Sequence, residues 1–461
     1  MNCFSARTDK HFRRLLPAFM LLLAACGVPN SESADRANSD EYSVHYTLEP
    51  DPAAATVRVS MNLRQPPRLL RELSFAIPPN VTNIEGDGEV RLQAGRAYWS
   101  PPPNGGMLEW QAVVLEQREG GRFDALLTAD WGIFRAEDVI PRARARTRKG
   151  AVSRTTLAFD MPAGWSAISE YSARVLPIVV DRPARRFDQP AGWLAMGRLG
   201  VRRENIGGTR VAVAAPEGHD VRRMEMLALL NWTLPELSLI LPESLPRLTI
   251  VSAGDPMWRG GLSAPASFFL HADRPLISEN ATSPLLHEVM HTALGIRPQK
   301  GFDWIAEGLA EYYSIELLRR GRAITRRRAD IAFKQQADWS QQATTLCDKT
   351  STGATTALAV TIFRKLDREI SEKTESSQTL DALLPLLAGQ AVDLATLVAA
   401  VETTTGSSPD ALHIDKLPGC RTIVAGHLLW SSGTVGCTSH SCAISRSLAT
   451  SPAFAVHPAI R

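Results

Sequence analysis

Hydrophobic and polar positions change rhythm twice along the chain. From Tyr42 to about Pro177 they alternate or run with β-branched residues, as in Val44-His45-Tyr46-Thr47-Leu48 and Thr56-Val57-Arg58-Val59-Ser60-Met61. That period predicts strands. Turn residues recur closely here: Pro66-Pro67, Pro78-Pro79, Asp87-Gly88, Pro101-Pro102-Pro103 and Asn104-Gly105. Short strands with frequent turns predict a β-sandwich over residues 42–177. Strands are expected again at Leu194–Arg203, Thr209–Ala215, Leu248–Ser252 and Ser267–His271. Between them Asp220–Leu241 has a helical period, with Met224, Leu227, Leu230 and Leu234 on one face and a break or kink at Pro235. After His271 the helical period takes over. It covers a segment opening at Ser283-Pro284, a second reaching about Arg320, then Thr355–Glu372, Leu380–Leu387 and Asp393–Thr404. From about Leu417 glycine and serine rise and the period fades. The chain therefore reads as α+β: a β-sandwich, a second unit over 178–416 that ends in helices, and a tail over 417–461.

Composition adds little to this picture and charge narrows it. The 461 residues are enough for two or three cores, and the apolar content is that of ordinary globular proteins. The formal charge of +3 comes from the first 25 residues, which hold four basic residues and one acidic residue; 47 of each sign remain. Such a balance offers nothing to a nucleic acid. The alternating run Arg142, Arg144, Arg146, Arg148, Lys149 reads as a solvated loop or edge strand, where charge blocks unwanted pairing.

Those first 25 residues have the pattern of an export signal. Arg13 and Arg14 precede the apolar run Ala18–Ala25, which is too short to span a bilayer. The run ends in Leu23-Ala24-Ala25-Cys26, which resembles the bacterial lipobox. That resemblance implies cleavage before Cys26, lipidation of Cys26 and a polar tether over 26–41. With Gly27 following, it also implies a bacterial envelope lipoprotein, held at the outer membrane and facing the periplasm. In an oxidising compartment Cys347, Cys420, Cys437 and Cys442 permit three pairings. Cys347 with Cys420 is preferred because it would pin the end of the helical region to its start, and Cys437 with Cys442 would close a small loop.

The chemistry concentrates between Leu285 and Tyr313. His287-Glu288-Val289-Met290-His291 sets two imidazoles four residues apart, one above the other on a helix. That is the spacing of two ligands on one face of a zinc ion, with Glu288 beside them as a general base. Glu307 is the candidate third ligand: it follows His291 by sixteen positions, enough to end one helix and begin another. Glu311, one turn later, could orient an imidazole through its other nitrogen. Ser283 and Pro284 form a start for the first helix, Gly295 and Pro298 a stop, and Asp303 a cap for the second. His45 and His271, both in strands, read as structural histidines.

The pattern His-Glu-x-x-His followed by Trp304-x-x-Glu307-Gly308-x-x-Glu311-Tyr312 resembles the gluzincin metallopeptidases. Within them it is most similar to the glycyl-aminopeptidase family, whose Gly-Gly-Leu-Glu strand is matched by Gly260-Gly261-Leu262. The resemblance implies a thermolysin-like catalytic unit over 178–416, one Zn2+ ion, a peptide or protein substrate, and a substrate-binding strand over Gly260, Gly261, Leu262 and Ser263. The chain departs from the family at two places. Ser263 stands where the family has the glutamate that holds a free amine, so an endopeptidase is expected rather than an aminopeptidase. No tyrosine follows Tyr313, so the oxyanion donor is left unassigned, with His413 one candidate. The same departures leave open a zinc-stabilised binding or assembly module with little turnover.

Overall fold

The structure, a computed structural model, describes residues 40–171, 177–180, 186–241, 243 and 245–421. The export signal, Cys26, the tether up to residue 39, and the tail with Cys437 and Cys442 lie outside the described residues. The first strand, Glu41–Asp51, buries Val44, Tyr46 and Leu48 on one face, as a period of two requires. It pairs antiparallel with Thr56–Arg64 and parallel with Val152–Phe159 in a six-stranded sheet. A four-stranded sheet lies against it, so that Tyr46, Val59 and Trp110 share one interior with Leu73, Phe75 and Trp99. The arginine run falls on Ala143–Thr147, an edge strand of that second sheet. There Arg146 lies 3.5 Å from Glu72 and Arg148 2.7 Å from Asp40.

Two sheets do not complete the β-rich part. A third, five-stranded sheet contains Phe123–Leu127, Trp131–Arg135, Ser166–Ile168 and Trp193–Gly197. The expected single strand Leu194–Arg203 is in fact two. Trp193–Gly197 pairs with Trp131–Arg135, whereas Leu199–Ile206 pairs with Thr209–Pro216. Gly197 makes the break: its φ is +127°, and a Cβ there would stand 2.6 Å from the Trp131 Cα. Ile178–Val180 also joins the six-stranded sheet. Strand pairing thus carries the β-rich part past the expected end at 177, to about residue 197.

The next sheet has the order Leu199–Ile206, Thr209–Pro216, Arg247–Ala253, Ser267–His271, Gly261–Ala264. Its three central strands are parallel, and the short strand Gly261–Ala264 runs antiparallel at the edge. One face packs on the third N-terminal sheet, with Ile133, Trp193 and Ala195 against Ala214, Val251 and Phe269. Trp193 also fastens the two parts by hydrogen bonds: its backbone N–H donates to Ser267 Oγ at 2.9 Å, and its indole N–H to the Leu262 carbonyl at 2.8 Å. The helix Arg223–Ser238 continues through Pro235 rather than breaking there. Its buried residues include Met226, Leu227, Leu230 and Leu234, while Met224, expected on that face, is exposed.

Helices complete the chain: Pro284–Leu294, Asp303–Arg320, Arg326–Ser340, Ala354–Lys373 and Leu394–Thr405. Arg326–Ser340 corresponds to no element expected from the sequence. Leu380–Leu387 is a 3-10 turn, Leu380–Leu383, followed by one α turn, Leu384–Leu387. A disulfide joins Cys347 to Cys420, 73 residues apart, as the sequence led us to expect. The architecture is mixed α+β, rich in sheet at its N-terminal end and helical toward its C-terminal end.

Candidate metal centre

The helix Pro284–Leu294 starts where the sequence says it should. Ser283 is extended, its Oγ accepts the Leu286 N–H at 3.3 Å, and Pro284 occupies the first turn. Gly295 ends it with φ 55° and a bond from its N–H to the His291 carbonyl. Leu285, Leu286, Val289, Met290 and Leu294 are buried, so packing fixes the helix on three sides. The remaining side carries His287 and His291, whose rings meet edge to face with centroids 4.7 Å apart.

The next helix, Asp303–Arg320, brings Glu307 onto them. Its N-cap residue is Phe302; the Asp303 carboxylate does not cap it but accepts the Ser351 N–H at 2.8 Å. Gly308 lets this helix approach Ala354–Lys373 closely, because a Cβ at 308 would stand 2.6 Å from the Ala359 Cβ. Glu307 is thereby held facing the imidazoles. Its carboxylate lies 3.3 Å from His287 Nε2 and 3.2 Å from His291 Nε2, and the two Nε2 atoms are 3.0 Å apart.

Three donors on a triangle of this size fit one cation. Donors about 2.1 Å from a tetrahedral zinc ion stand about 3.4 Å from one another. Tautomer chemistry agrees. Glu311 accepts a hydrogen bond from His287 Nδ1–H at 3.1 Å, which leaves the Nε2 lone pair of the neutral ring directed at His291 and Glu307. Glu311 is in turn held by the Gln336 amide N–H at 3.3 Å and by the Ser314 hydroxyl at 3.4 Å. Without a cation the cluster is strongly polarised. Burial lowers the His287 pKa, but hydrogen bonds to Glu307 and Glu311 outweigh it and hold the ring up to about 10. Burial raises Glu307, and its bonds to both histidines outweigh that, keeping it well below the usual carboxylate range.

Glu288 sits apart from this triangle and 7% exposed. Burial raises its pKa above that of an ordinary glutamate. Its carboxylate lies against the edge strand at Gly261, where any Cβ would overlap it. Ser263, two residues further, shares that face of the strand and is exposed. The structure therefore brings together His287, Glu288, His291, Glu307 and Glu311 with the strand Gly261–Ala264. Gly260 precedes that strand, its carbonyl accepting the His271 N–H at 3.0 Å.

Other residues singled out in the sequence lie elsewhere. His413 is exposed, 3.5 Å from Asp415, and no contact joins it to the triangle among the described residues. His45 bonds Thr156 at 2.7 Å, and His271 is buried with its Nδ1 accepting the Asp273 N–H at 3.1 Å. The Tyr312 and Tyr313 hydroxyls donate to Asp367 and Asp381, at 3.1 and 2.8 Å. Gln336 was missed altogether. The available signal was a polar residue recurring with Ala329, Ala332 and Phe333 on the buried face of Arg326–Ser340.

No family model matches the sequence, and no curated protein matches it. Among solved structures, 131 chains resemble it. One is an aminopeptidase N family protein from Idiomarina loihiensis, 14% identical with a TM-score of 0.52 over 86% of this chain and 77% of that one. At that identity the likeness is one of fold. It extends over both the β-rich and the helical parts.

Proposed function

We propose that this chain is a zinc-dependent peptidase of the bacterial envelope, tethered through Cys26 and cutting within peptide chains rather than at a free N-terminus. The observation that carries the reading is the His287, His291 and Glu307 triangle with buried Glu288 between it and an edge strand. One zinc ion held by those three residues would polarise a carbonyl and acidify water. Glu288 takes the proton of the attacking water and returns it to the departing amine; a carboxylate raised by burial suits both halves of that transfer. Gly261 leaves room for Glu288 to lie against the strand. In an antiparallel ladder the outward N–H and C=O groups alternate. Since Gly260 bonds inward to His271, those of Gly261 and Ser263 point outward, where an extended substrate can add as a further strand.

Ser263 supplies no counter-charge for a terminal ammonium, and burying one unpaired costs several kcal/mol. Acetylated peptides are therefore expected to be cut at least as well as free ones. The aminopeptidase N family neighbour supports the fold of such an enzyme and the coarse class of peptidase. One observation favours a second reading, a zinc-stabilised binding module with weak turnover: the Tyr312 and Tyr313 hydroxyls are both committed to other carboxylates. Metal analysis with cleavage profiling on paired free and acetylated peptide libraries separates the readings. Glu288→Gln should keep the metal and lose hydrolysis by about 10²-fold or more. Undiminished turnover in that variant would remove Glu288 from the mechanism, and stepwise release of single N-terminal residues would make the enzyme an aminopeptidase.

A further inference from the structure

Strand register makes the outer face of the four-stranded sheet basic. Arg144, on the edge strand Ala143–Thr147, stands opposite Ser74, Ser74 opposite Tyr98, and Tyr98 opposite Arg91. Paired residues share a face, and the buried Leu73, Phe75, Ala97 and Trp99 alternate with these, so the row points outward. Arg146, opposite Glu72, belongs to the next row on one side. Arg96, paired with Ala76 and Gln93, belongs to the next row on the other. Four arginines therefore share this face with two glutamates. Glu72 lies 3.5 Å from Arg146 and 3.6 Å from Arg91, and Glu89 lies 3.4 Å from Arg91. Among the described residues no salt bridge engages Arg96 or Arg144.

Protection of a sheet edge accounts for little of this. Arg96 lies on an interior strand, and the outward Ala143 N–H is already taken by Gln189 Oε1 at 2.9 Å. The chain also enters the sandwich at the end of the same strand. Arg148, just past Thr147, lies 2.7 Å from Asp40, and the Asp40 carbonyl accepts the Val152 N–H at 2.9 Å. Arg144 is four residues from Arg148, about 14 Å at the rise of a strand. Thirteen residues separate Cys26 from Asp40. Fully extended they span at most about 45 Å. An acyl group on Cys26 thus holds this end of the sandwich close to the bilayer it enters.

We propose that the face carrying Arg96 and Arg144 docks on an anionic phospholipid bilayer, its guanidinium groups contacting lipid phosphate. The choice of partner rests on the Cys26 tether of the proposed function, whereas the charge of the face stands without it. Guanidinium forks match phosphate, and basic side chains close to an anionic surface are drawn to it. Tyr98, with the Arg91 guanidinium 5.7 Å from its ring centre, is a residue type favoured at the membrane interface. The metal centre has no part in the inference.

The test uses the mature chain, residues 26–461, with Cys26→Ser so that no acyl anchor contributes. It is sedimented with vesicles of phosphatidylcholine with or without phosphatidylglycerol. Binding should require phosphatidylglycerol and weaken with salt. Arg96→Ala with Arg144→Ala should weaken it about tenfold or more, and Arg96→Lys with Arg144→Lys should retain it. Arg202→Ala with Arg203→Ala removes the same charge from exposed positions of another sheet and should leave binding unchanged. Equal weakening by the two alanine pairs would overturn the proposal, because net charge alone would then explain binding. So would a soluble polyphosphate that the vesicles cannot displace. Palmitate labelling of the wild-type chain in cells reads the tether separately. Label without phosphatidylglycerol-dependent binding overturns the docking face and keeps the anchor; binding without label keeps the face and removes the anchor.

Discussion

Glu311 shows how much one carboxylate can decide without touching a metal. It selects the His287 tautomer that directs Nε2 at the triangle, and it is itself fixed by Gln336 and Ser314. Gln336 is buried, so replacing it with leucine removes a donor without opening a cavity. Glu311→Ala should lower metal affinity by about 10–100-fold, and Gln336→Leu by less, as read by competition with a chromophoric chelator. Both proteins should remain folded, since leucine fills the space of the buried Gln336 and the Glu311 side chain is only partly buried. Unchanged affinity in Glu311→Ala would show that His287 is oriented by packing alone.

At the scale of elements, the distance between helices sets the site. Asp303–Arg320 reaches Ala354–Lys373 only because residue 308 has no side chain. Alanine there raises helix propensity by about 1 kcal/mol. It also drives a Cβ into Ala359 and to 2.9 Å from the Phe363 ring. Overpacking should win: Gly308→Ala is expected to destabilise by about 1–3 kcal/mol in urea unfolding and to weaken metal binding by shifting Glu307. The same scale explains what could be read in advance. The triangle was legible because all three donors lie within two adjacent helices, at spacings the α-helical period translates directly. Arg326–Ser340 was not. Arginines at Arg326, Arg327 and Arg328 oppose the helix dipole, and its buried face rests on two alanines, Phe333 and a glutamine, a weak hydrophobic stripe. The division of Leu194–Arg203 was equally hidden, because both halves are good strands and only tertiary pairing assigns them to different sheets.

Across the whole molecule, the disulfide between Cys347 and Cys420 closes a loop that contains the helices Ala354–Lys373 and Leu394–Thr405. Both sulfurs are buried, and a loop of that length restricts the unfolded chain substantially. Cys347→Ser with Cys420→Ser should lower stability by about 2–4 kcal/mol in denaturant titration, with the candidate ligands untouched. At the other end, Cys26→Ser should move the mature protein from the membrane fraction to the soluble fraction at high salt.

The bond from the Trp193 indole to the Leu262 carbonyl bears on how such a chain can be divided. It crosses from the third N-terminal sheet to the strand beside the metal helix, and Ile133 and Ala195 pack across the same seam. A fragment beginning after Gly197 would keep every side chain of the candidate metal centre. It would also bare the apolar faces of Ala214, Val251 and Phe269 to water and leave the Leu262 edge unsupported. The two parts are therefore joined through their apolar seam: removing the N-terminal sheets would take away the tryptophan that supports the strand on which the substrate is proposed to lie.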